Sequence, residues 1–458
     1  MQLFMTLCLN EARLPIRPQA EFLHPTESTM RLKNRSLSLA LSLLLLHAPV
    51  WSALAQLGRI ERGKITSPGL TNNLFGDTAT RPYAVYLPPS YDTTQKRYPV
   101  IFVLHGFPGD ENGLLVDSQV ALNSMIRQRT IGEMIAVFVN GNNRLGGSFY
   151  LSSPVIGDNE TYISRDLVEL IDTRYRTLAV RESRGIEGFS IGGWGAMHLA
   201  LKFPEIYSVV VAESGIYDSR SQFEDGFDRQ LASAHPTNLV QFDRLLSQPT
   251  PYLAGVQALF CGLLPNPQRP GLYSDLVYEW TNGVAVFIPS ADQRCRNGDV
   301  QNGDLGRYVQ QPLRLSGIKV VHGTGDSIIP INEARNFTNA LGAAGVAFTY
   351  QAHSGGHDFL PALALPFLSA HLQGAEMYVA PPRLAFANTT NGVMLTFPTE
   401  TGVEYRIESG IALADPAGSW TERGRITGNG QPASITFSVQ GERQFFRVGA
   451  ANVLPGPG

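Results

Sequence analysis

The chain has 458 residues, 43% hydrophobic and 16% charged, with a formal net charge of −3. This supplies ample apolar material for packed cores and excludes a wholly disordered chain, while 36 basic and 39 acidic side chains leave no broad positive field for a nucleic-acid partner. Three cysteines without a CxxC pair exclude a disulfide-dense scaffold and structural zinc, and about 150 residues per domain predicts two or three domains.

From Met30 the chain reads as an export signal. Arg31, Lys33 and Arg35 precede the apolar run Leu37 to Leu46, and Ala53-Leu54-Ala55 offers a small-x-small site for cleavage before Gln56. The run is far shorter than the roughly twenty residues of a membrane span, so a secreted or periplasmic protein with no stable membrane span is expected. Residues 1–29 precede this second start methionine and have no apolar period. The predicted division is therefore 1–55 for upstream segment and signal, 56–375 for a catalytic domain, and 383–452 for a C-terminal module.

Between about 80 and 372, short apolar runs alternate with amphipathic stretches, which predicts an α/β sheet built from crossover units. The expected strands are 83–87, 100–104, 134–139, 185–188, 209–212, 318–321 and 347–351. Helices are expected over 161–175, capped by Asp158 or Asn159, and over 332–343, where Ala334, Phe337 and Leu341 share a face. About a hundred residues, 216–317, interrupt the alternation. That is too long for a simple connection and predicts a cap over the carboxyl ends of the strands, with helices near 239–246 and 252–263. Cys261 and Cys295 both fall in it, and an oxidising compartment makes them a candidate disulfide.

Gly188-Phe189-Ser190-Ile191-Gly192-Gly193 lies between an expected strand and an expected helix. There G-x-S-x-G predicts a nucleophile elbow, a sharp turn that lifts the Ser190 hydroxyl clear of the sheet. A serine needs a base and a group to orient that base. Asp326 follows an apolar strand in Gly323-Thr324-Gly325-Asp326, and His357 follows the last strand in Ser354-Gly355-Gly356-His357. The order Ser, Asp, His is that of α/β-hydrolases. His353 is the rival base, expected instead to end the strand; Glu333 is a rival acid expected to be solvated; His322 reads as a core or loop histidine. The glycines between His353 and His357 argue against a helical metal pair, and neither metal nor cofactor is expected. His105-Gly106-Phe107-Pro108-Gly109 follows the strand at 100–104. Phe107 and Ile191 are the expected oxyanion-hole N–H donors, since Pro108 has none.

With Ser148-Phe149-Tyr150, Gly157 to Tyr162, Asp172 to Arg176 and Gly192-Gly193-Trp194-Gly195-Ala196, these motifs resemble the putative esterase family of the α/β-hydrolase fold. The family includes esterase D-like enzymes, feruloyl and acetylxylan esterases, enterochelin esterases and mycolyltransferases. The resemblance spans about 80–215 and 312–372. It implies a doubly wound, mostly parallel sheet and carries nucleophile, acid and base onto Ser190, Asp326 and His357. Tyr150, Glu160 and Trp194, within those motifs, are candidates to line the substrate. Phe189 and Asp358 stand where the fungal tannase type pairs cysteines, which argues against that subgroup. The expected partner is an ester substrate, carbohydrate-linked feruloyl or acetyl esters first. Acyl transfer of the mycolyltransferase type and a carbohydrate-binding or adhesion protein on the same scaffold are the alternatives.

After His371 the alternation shortens, with runs at 393–397, 404–408, 435–439 and 445–448 between Gly, Asn and Pro. This predicts a small all-β sandwich whose aromatics form its core.

Overall fold

The computed structural model describes residues 57–220, 226–234, 239–246, 251–379, 382, 384–390, 392–410, 420–438 and 445–452. The predicted leader with its cleavage site after Ala55 lies outside them.

An eight-stranded sheet organises the chain: β1 (Arg59–Thr66), β2 (Thr80–Leu87), β3 (Val100–Leu104), β4 (Ile135–Val139), β5 (Arg184–Phe189), β6 (Val209–Glu213), β7 (Gly317–Gly323) and β8 (Thr349–His353). Their spatial order is 1-2-4-3-5-6-7-8. β1 and β2 run antiparallel and β3 to β8 are parallel to one another. This is the α/β-hydrolase fold.

The continuous apolar run of β3 follows from burial on both faces. Val100, Phe102 and Leu104 pack in one core, while Ile101 and Val103 pack in the other. The edge strand β1 was not foreseen, because Arg59, Glu61, Arg62 and Lys64 interrupt its apolar pattern. Charge of this kind suits an edge exposed to water. The last strand begins two residues later than expected, at Thr349, and ends at His353.

Helix α1 (Leu115–Arg127), also unforeseen, and α6 (Pro361–His371) carry residues of one core. Asn159–Thr161, a π-helical stretch Tyr162–Leu167 and Val168–Arg174 continue as one helix, α2, whose first turn is capped by Asp158 accepting from the Thr161 N–H at 3.0 Å. α3 (Ile191–Lys202) is buried along almost its whole length, which explains its apolar, Ala- and Gly-rich sequence. α5 (Asn332–Ala343) packs Ala334, Phe337 and Leu341 inward as their spacing predicts.

Between β6 and β7 lie helices Gly226–Ala234, Leu239–Leu246, α4 (Pro251–Leu263) and Pro289–Gly298, with a hairpin of Tyr278–Thr281 and Val284–Phe287. Hydrogen bonds tie this insertion to the body, including Ser153 Oγ to Cys261 O (2.7 Å) and Arg144 Nε to Asp243 Oδ1 (3.0 Å). The candidate disulfide is not formed. Cys261 Sγ sits beside Gln257 Nε2 (3.3 Å) and donates to Leu272 O (3.5 Å), while Cys295 Sγ donates to Ser219 Oγ (3.3 Å). Each thiol is buried on a different helix with its own polar neighbours, so neither needs the bridge to be satisfied.

Toward the C-terminus two three-stranded sheets form, β10 (Gly392–Phe397) flanked by β9 (Ala385–Thr389) and β13 (Ala433–Phe437), and β11 (Val403–Gly410) flanked by β12 (Thr421–Thr427) and β14 (Phe445–Asn452). Leu395 and Phe397 from one sheet pack with Val403, Tyr405, Ile407 and Val448 from the other, a small sandwich core. Trp420 is covered by the Arg447 guanidinium at 4.5 Å, and Phe386 remains 56% exposed.

Candidate active site

Ser190 terminates β5 and caps α3 with φ 59° and ψ −120°. A non-glycine residue with such a φ carries strain on the order of 1–3 kcal/mol, held by its surroundings. Here the Ser190 N–H donates to Glu213 O (2.9 Å) and its carbonyl accepts from Trp194 N–H (3.1 Å). The turn is possible only with glycine beside it. A Cβ at Gly188 would lie 1.9 Å from Gly192 O, and one at Gly192 would lie 2.1 Å from Leu104 O. G-x-S-x-G is therefore a steric requirement at this position, and the helix start beneath it favours negative charge.

Asp326 follows β7 in a loop whose backbone holds the carboxylate. Oδ1 accepts from the N–H groups of Ile328 (2.9 Å) and Ile329 (2.8 Å), and Oδ2 accepts from His357 Nδ1 at 2.8 Å. Burial works against this charge, but the hydrogen bonds from His357 and from Ile329 and Ile328 outweigh it and hold the carboxyl below its ordinary pKa. A carboxylate accepting Nδ1–H fixes the tautomer and leaves His357 Nε2 as the basic nitrogen. Behind Asp326, buried His322 donates from Nε2 to Ile329 O (2.8 Å) and lies 3.5 Å from Oδ2. Burial lowers its pKa, so it stands as a neutral brace for the acid loop. His353 ends β8 and accepts the Gly355 N–H at Nδ1 (3.1 Å) instead of reaching Asp326. Glu333 is buried at the start of α5, contrary to the solvated position expected.

Ser190 and His357 line one cavity of about 380 Å³, together with Phe107, Phe149, Phe189, Ile191, Ile216 and Ile329. The Phe189 ring lies 4.7 Å from the imidazole, which packs the base beside the nucleophile turn. Gly255 of α4 also lines it, so the insertion after β6 contributes a wall.

Phe107 and Ile191 flank the same cavity. Among the described residues neither N–H donates to a backbone carbonyl outside the regular elements. His105 shapes this loop: its Nδ1 donates to Gly106 O (2.8 Å), and Nε2 accepts the Gly141 N–H (3.0 Å). Burial lowers its pKa, in keeping with a neutral ring that donates at one nitrogen and accepts at the other.

The three candidate substrate-lining residues lie elsewhere. Tyr150 is fully buried and donates to His105 O (2.8 Å), bracing the loop after β3 from behind. Trp194 is one turn into α3, buried edge-on against Phe149 at 5.9 Å. Glu160 accepts from His198 Nε2 (2.9 Å) and Lys202 Nζ (2.7 Å), away from the cavity. Proximity in sequence to the motifs misled here, because helical and turn geometry points these side chains into the body. The walls come instead from Phe107, Phe149, Phe189 and Ile216, whose apolar character carries no signal distinct from core.

Residues 78–268 match the Esterase family, described as "Putative esterase". The match covers less than half of the chain. An esterase of Mycobacterium tuberculosis is 30% identical over 144 residues, which are 30% of this chain and 30% of the relative. An endo-1,4-beta-xylanase/feruloyl esterase of Xylanibacter ruminicola is 28% identical over 131 residues, 27% of this chain and 18% of the relative. The chain thus spans less than a third of the length of either relative. Among solved structures, a ferulic acid esterase superposes with a TM-score of 0.46 at 18% identity, covering 69% of this chain and 98% of that one.

Proposed function

We propose that the chain is a serine carboxylic-ester hydrolase. The observation that carries this reading is the Asp326–His357 hydrogen bond of 2.8 Å opening into the cavity that also holds Ser190 on its strained turn. In this mechanism His357 Nε2 takes the Ser190 Oγ proton as Oγ attacks the acyl carbon. Negative charge grows on the acyl oxygen, for which the Phe107 and Ile191 N–H groups serve as donors in this reading. The tetrahedral intermediate collapses, the C–O bond to the alcohol breaks, and His357 returns the proton to the leaving alkoxide. Water, deprotonated by the same nitrogen, then attacks the acyl-enzyme, and free acid leaves with Ser190 restored. Asp326 holds the tautomer and stabilises the imidazolium.

The acyl group we assign is aromatic, of the feruloyl type. Phe107, Phe149, Phe189 and Ile216 offer apolar walls that gain from burying a ring, whereas an acetyl group would leave most of about 380 Å³ unfilled. The name of the Xylanibacter relative is in keeping with this. Export, which the pattern at 31–55 supports, would bring such an enzyme to polymer-linked esters. The test is hydrolysis of methyl ferulate and an aryl acetate by the wild type and by Ser190→Ala. Both activities should vanish in the variant, and methyl ferulate should be the better wild-type substrate by kcat/KM. Unchanged hydrolysis by Ser190→Ala would falsify the mechanism, and a preference for acetate would overturn the acyl assignment.

A further inference from the structure

Two carboxyl groups that the reaction does not use lie beneath the nucleophile turn. Glu187 in β5 and Glu213 at the end of β6 are 1% and 0% exposed. Phe189 pairs with Glu213 and Glu187 with Val211, so the two glutamates are diagonal neighbours on one face of the sheet, the face shared with Val209, Val211 and Leu365 of α6. Among the described residues Oε1 of each group is buried without a hydrogen-bond partner. Two neighbouring buried carboxyls can satisfy one another only if a proton lies between them. Burial, with repulsion from Glu213, pushes Glu187 well above the ordinary carboxyl range, and burial pushes Glu213 up to about 7. Both shifts agree with a shared proton. The charged side chain facing the pair from the adjoining strand is Lys319, whose Nζ donates to Leu363 O of α6 (2.7 Å). α6 and α1 turn apolar side chains and Ser118 to the same core.

Such a pair is costly to bury, and an apolar pair of equal volume would fill the space without that cost. What the pair holds is specific. The Glu213 carbonyl accepts the N–H of Ser190 (2.9 Å), and its Oε2 accepts the N–H of Leu360 (2.8 Å), three residues beyond His357. One residue thus bonds the turn carrying the nucleophile through its main chain and the loop carrying the base through its side chain. We propose that Glu213 is a positioning residue that ties the His357 loop to the Ser190 turn and sets the approach of base to nucleophile. This rests on the serine-hydrolase reading given above.

The test compares Glu213→Ala, Glu213→Leu and Glu213→Gln in steady-state hydrolysis of an aryl ester and in the rate of fluorophosphonate labelling. The glutamine amide can still accept from Leu360, whereas alanine and leucine cannot. The leucine variant fills the space, so it decides the matter if the alanine variant does not fold. Misalignment of base and nucleophile should lower kcat and labelling about ten- to a hundredfold in the apolar variants with KM within about twofold, and glutamine should recover to within about threefold of wild type. Wild-type kcat in Glu213→Leu, or glutamine no better than leucine, overturns the positioning role. Ser190→Ala assayed alongside separates the two failures. If it remains active, the reaction itself is wrong and the positioning role falls with it. If it is silent beside an unimpaired Glu213→Leu, only the positioning role is lost.

Discussion

Among the described residues two histidines hydrogen-bond to an aspartate, and the two pairs differ in almost everything except composition. Asp326 and His357 meet at 2.8 Å, and the histidine side chain keeps 13% of its surface at the mouth of the cavity. Asp304 and His198 meet at 2.6 Å, but the other nitrogen of His198 bonds to Glu160 at 2.9 Å and the ring is buried. The first imidazole is bonded to one carboxylate and lines the cavity that Ser190 also lines. The second is closed between two carboxylates, with Lys202 and Arg307 completing the network. Burial works against its charge, yet Asp304 and Glu160 more than compensate and raise its pKa to about 9. At neutral pH it is an imidazolium with no proton to accept. What separates the two pairs is therefore a ring at a cavity against a ring closed between two carboxylates, not the short hydrogen bond. The second pair joins α2, α3 and the end of the cap, and its role is cohesion.

The sharpest way to break this contrast is to neutralise each carboxylate in turn. Asp326→Asn should lower kcat by about 10⁴-fold, because the amide no longer fixes the productive tautomer. Asp304→Asn should leave kcat within a few-fold in the same assay. Comparable rate losses in the two variants would dissolve the distinction.

Stability should show the reverse order. Removing the cation with His198→Gln leaves Glu160 and Asp304 as buried carboxylates without it, so unfolding by urea should become easier by about 3–5 kcal/mol. The pH dependence has a definite sign. His198 is raised from 6.5 to about 9, so its contribution is complete below pH 6.5 and is lost as pH rises through about 9. Wild-type stability should fall across that window and the variant's profile should be flatter. Parallel profiles for the two proteins would show that His198 is not charged in the fold.

A subtler effect concerns the cavity wall donated by the cap. Gly255 faces the cavity, and a side chain there would first meet Phe107 Cζ at 4.0 Å. Gly255→Leu should raise KM for an aromatic acyl ester about tenfold while leaving the acetyl ester nearly unchanged, since bulk narrows the pocket without touching the reacting groups. Equal effects on both esters would place the wall outside acyl recognition. Smallest of all, reducing agent should leave the melting temperature unchanged, because no bridge joins Cys261 and Cys295. A drop on reduction would reinstate that bridge.

The difference between the two pairs also explains which residues were readable in advance. Ser190 and Asp326 stand in glycine-marked turns after apolar strands, and His357 follows Gly355-Gly356 four residues beyond β8, so local chemistry advertises each turn. His198 gave no such signal. It lies inside an apolar helical stretch, and its partners come from 38 and 106 positions away. Glu187 and Glu213 were equally silent, each a single acid within a strand whose other residues are buried. The cap helices at 239–246 and 251–263 were legible from their periodicity, but which face of α4 reaches the cavity was not.

By itself, then, the sequence determined the alternation that makes a parallel sheet, because buried strands must be apolar on both faces. It also determined the nucleophile turn, because at Gly188 and Gly192 any side chain would collide with backbone. Tertiary structure alone decided where Tyr150, Glu160 and Trp194 point, which thiols stay apart, and which of two Asp–His pairs faces a cavity. These depend on distances between segments far apart in the chain, and residue type encodes a capacity to bond without naming the partner.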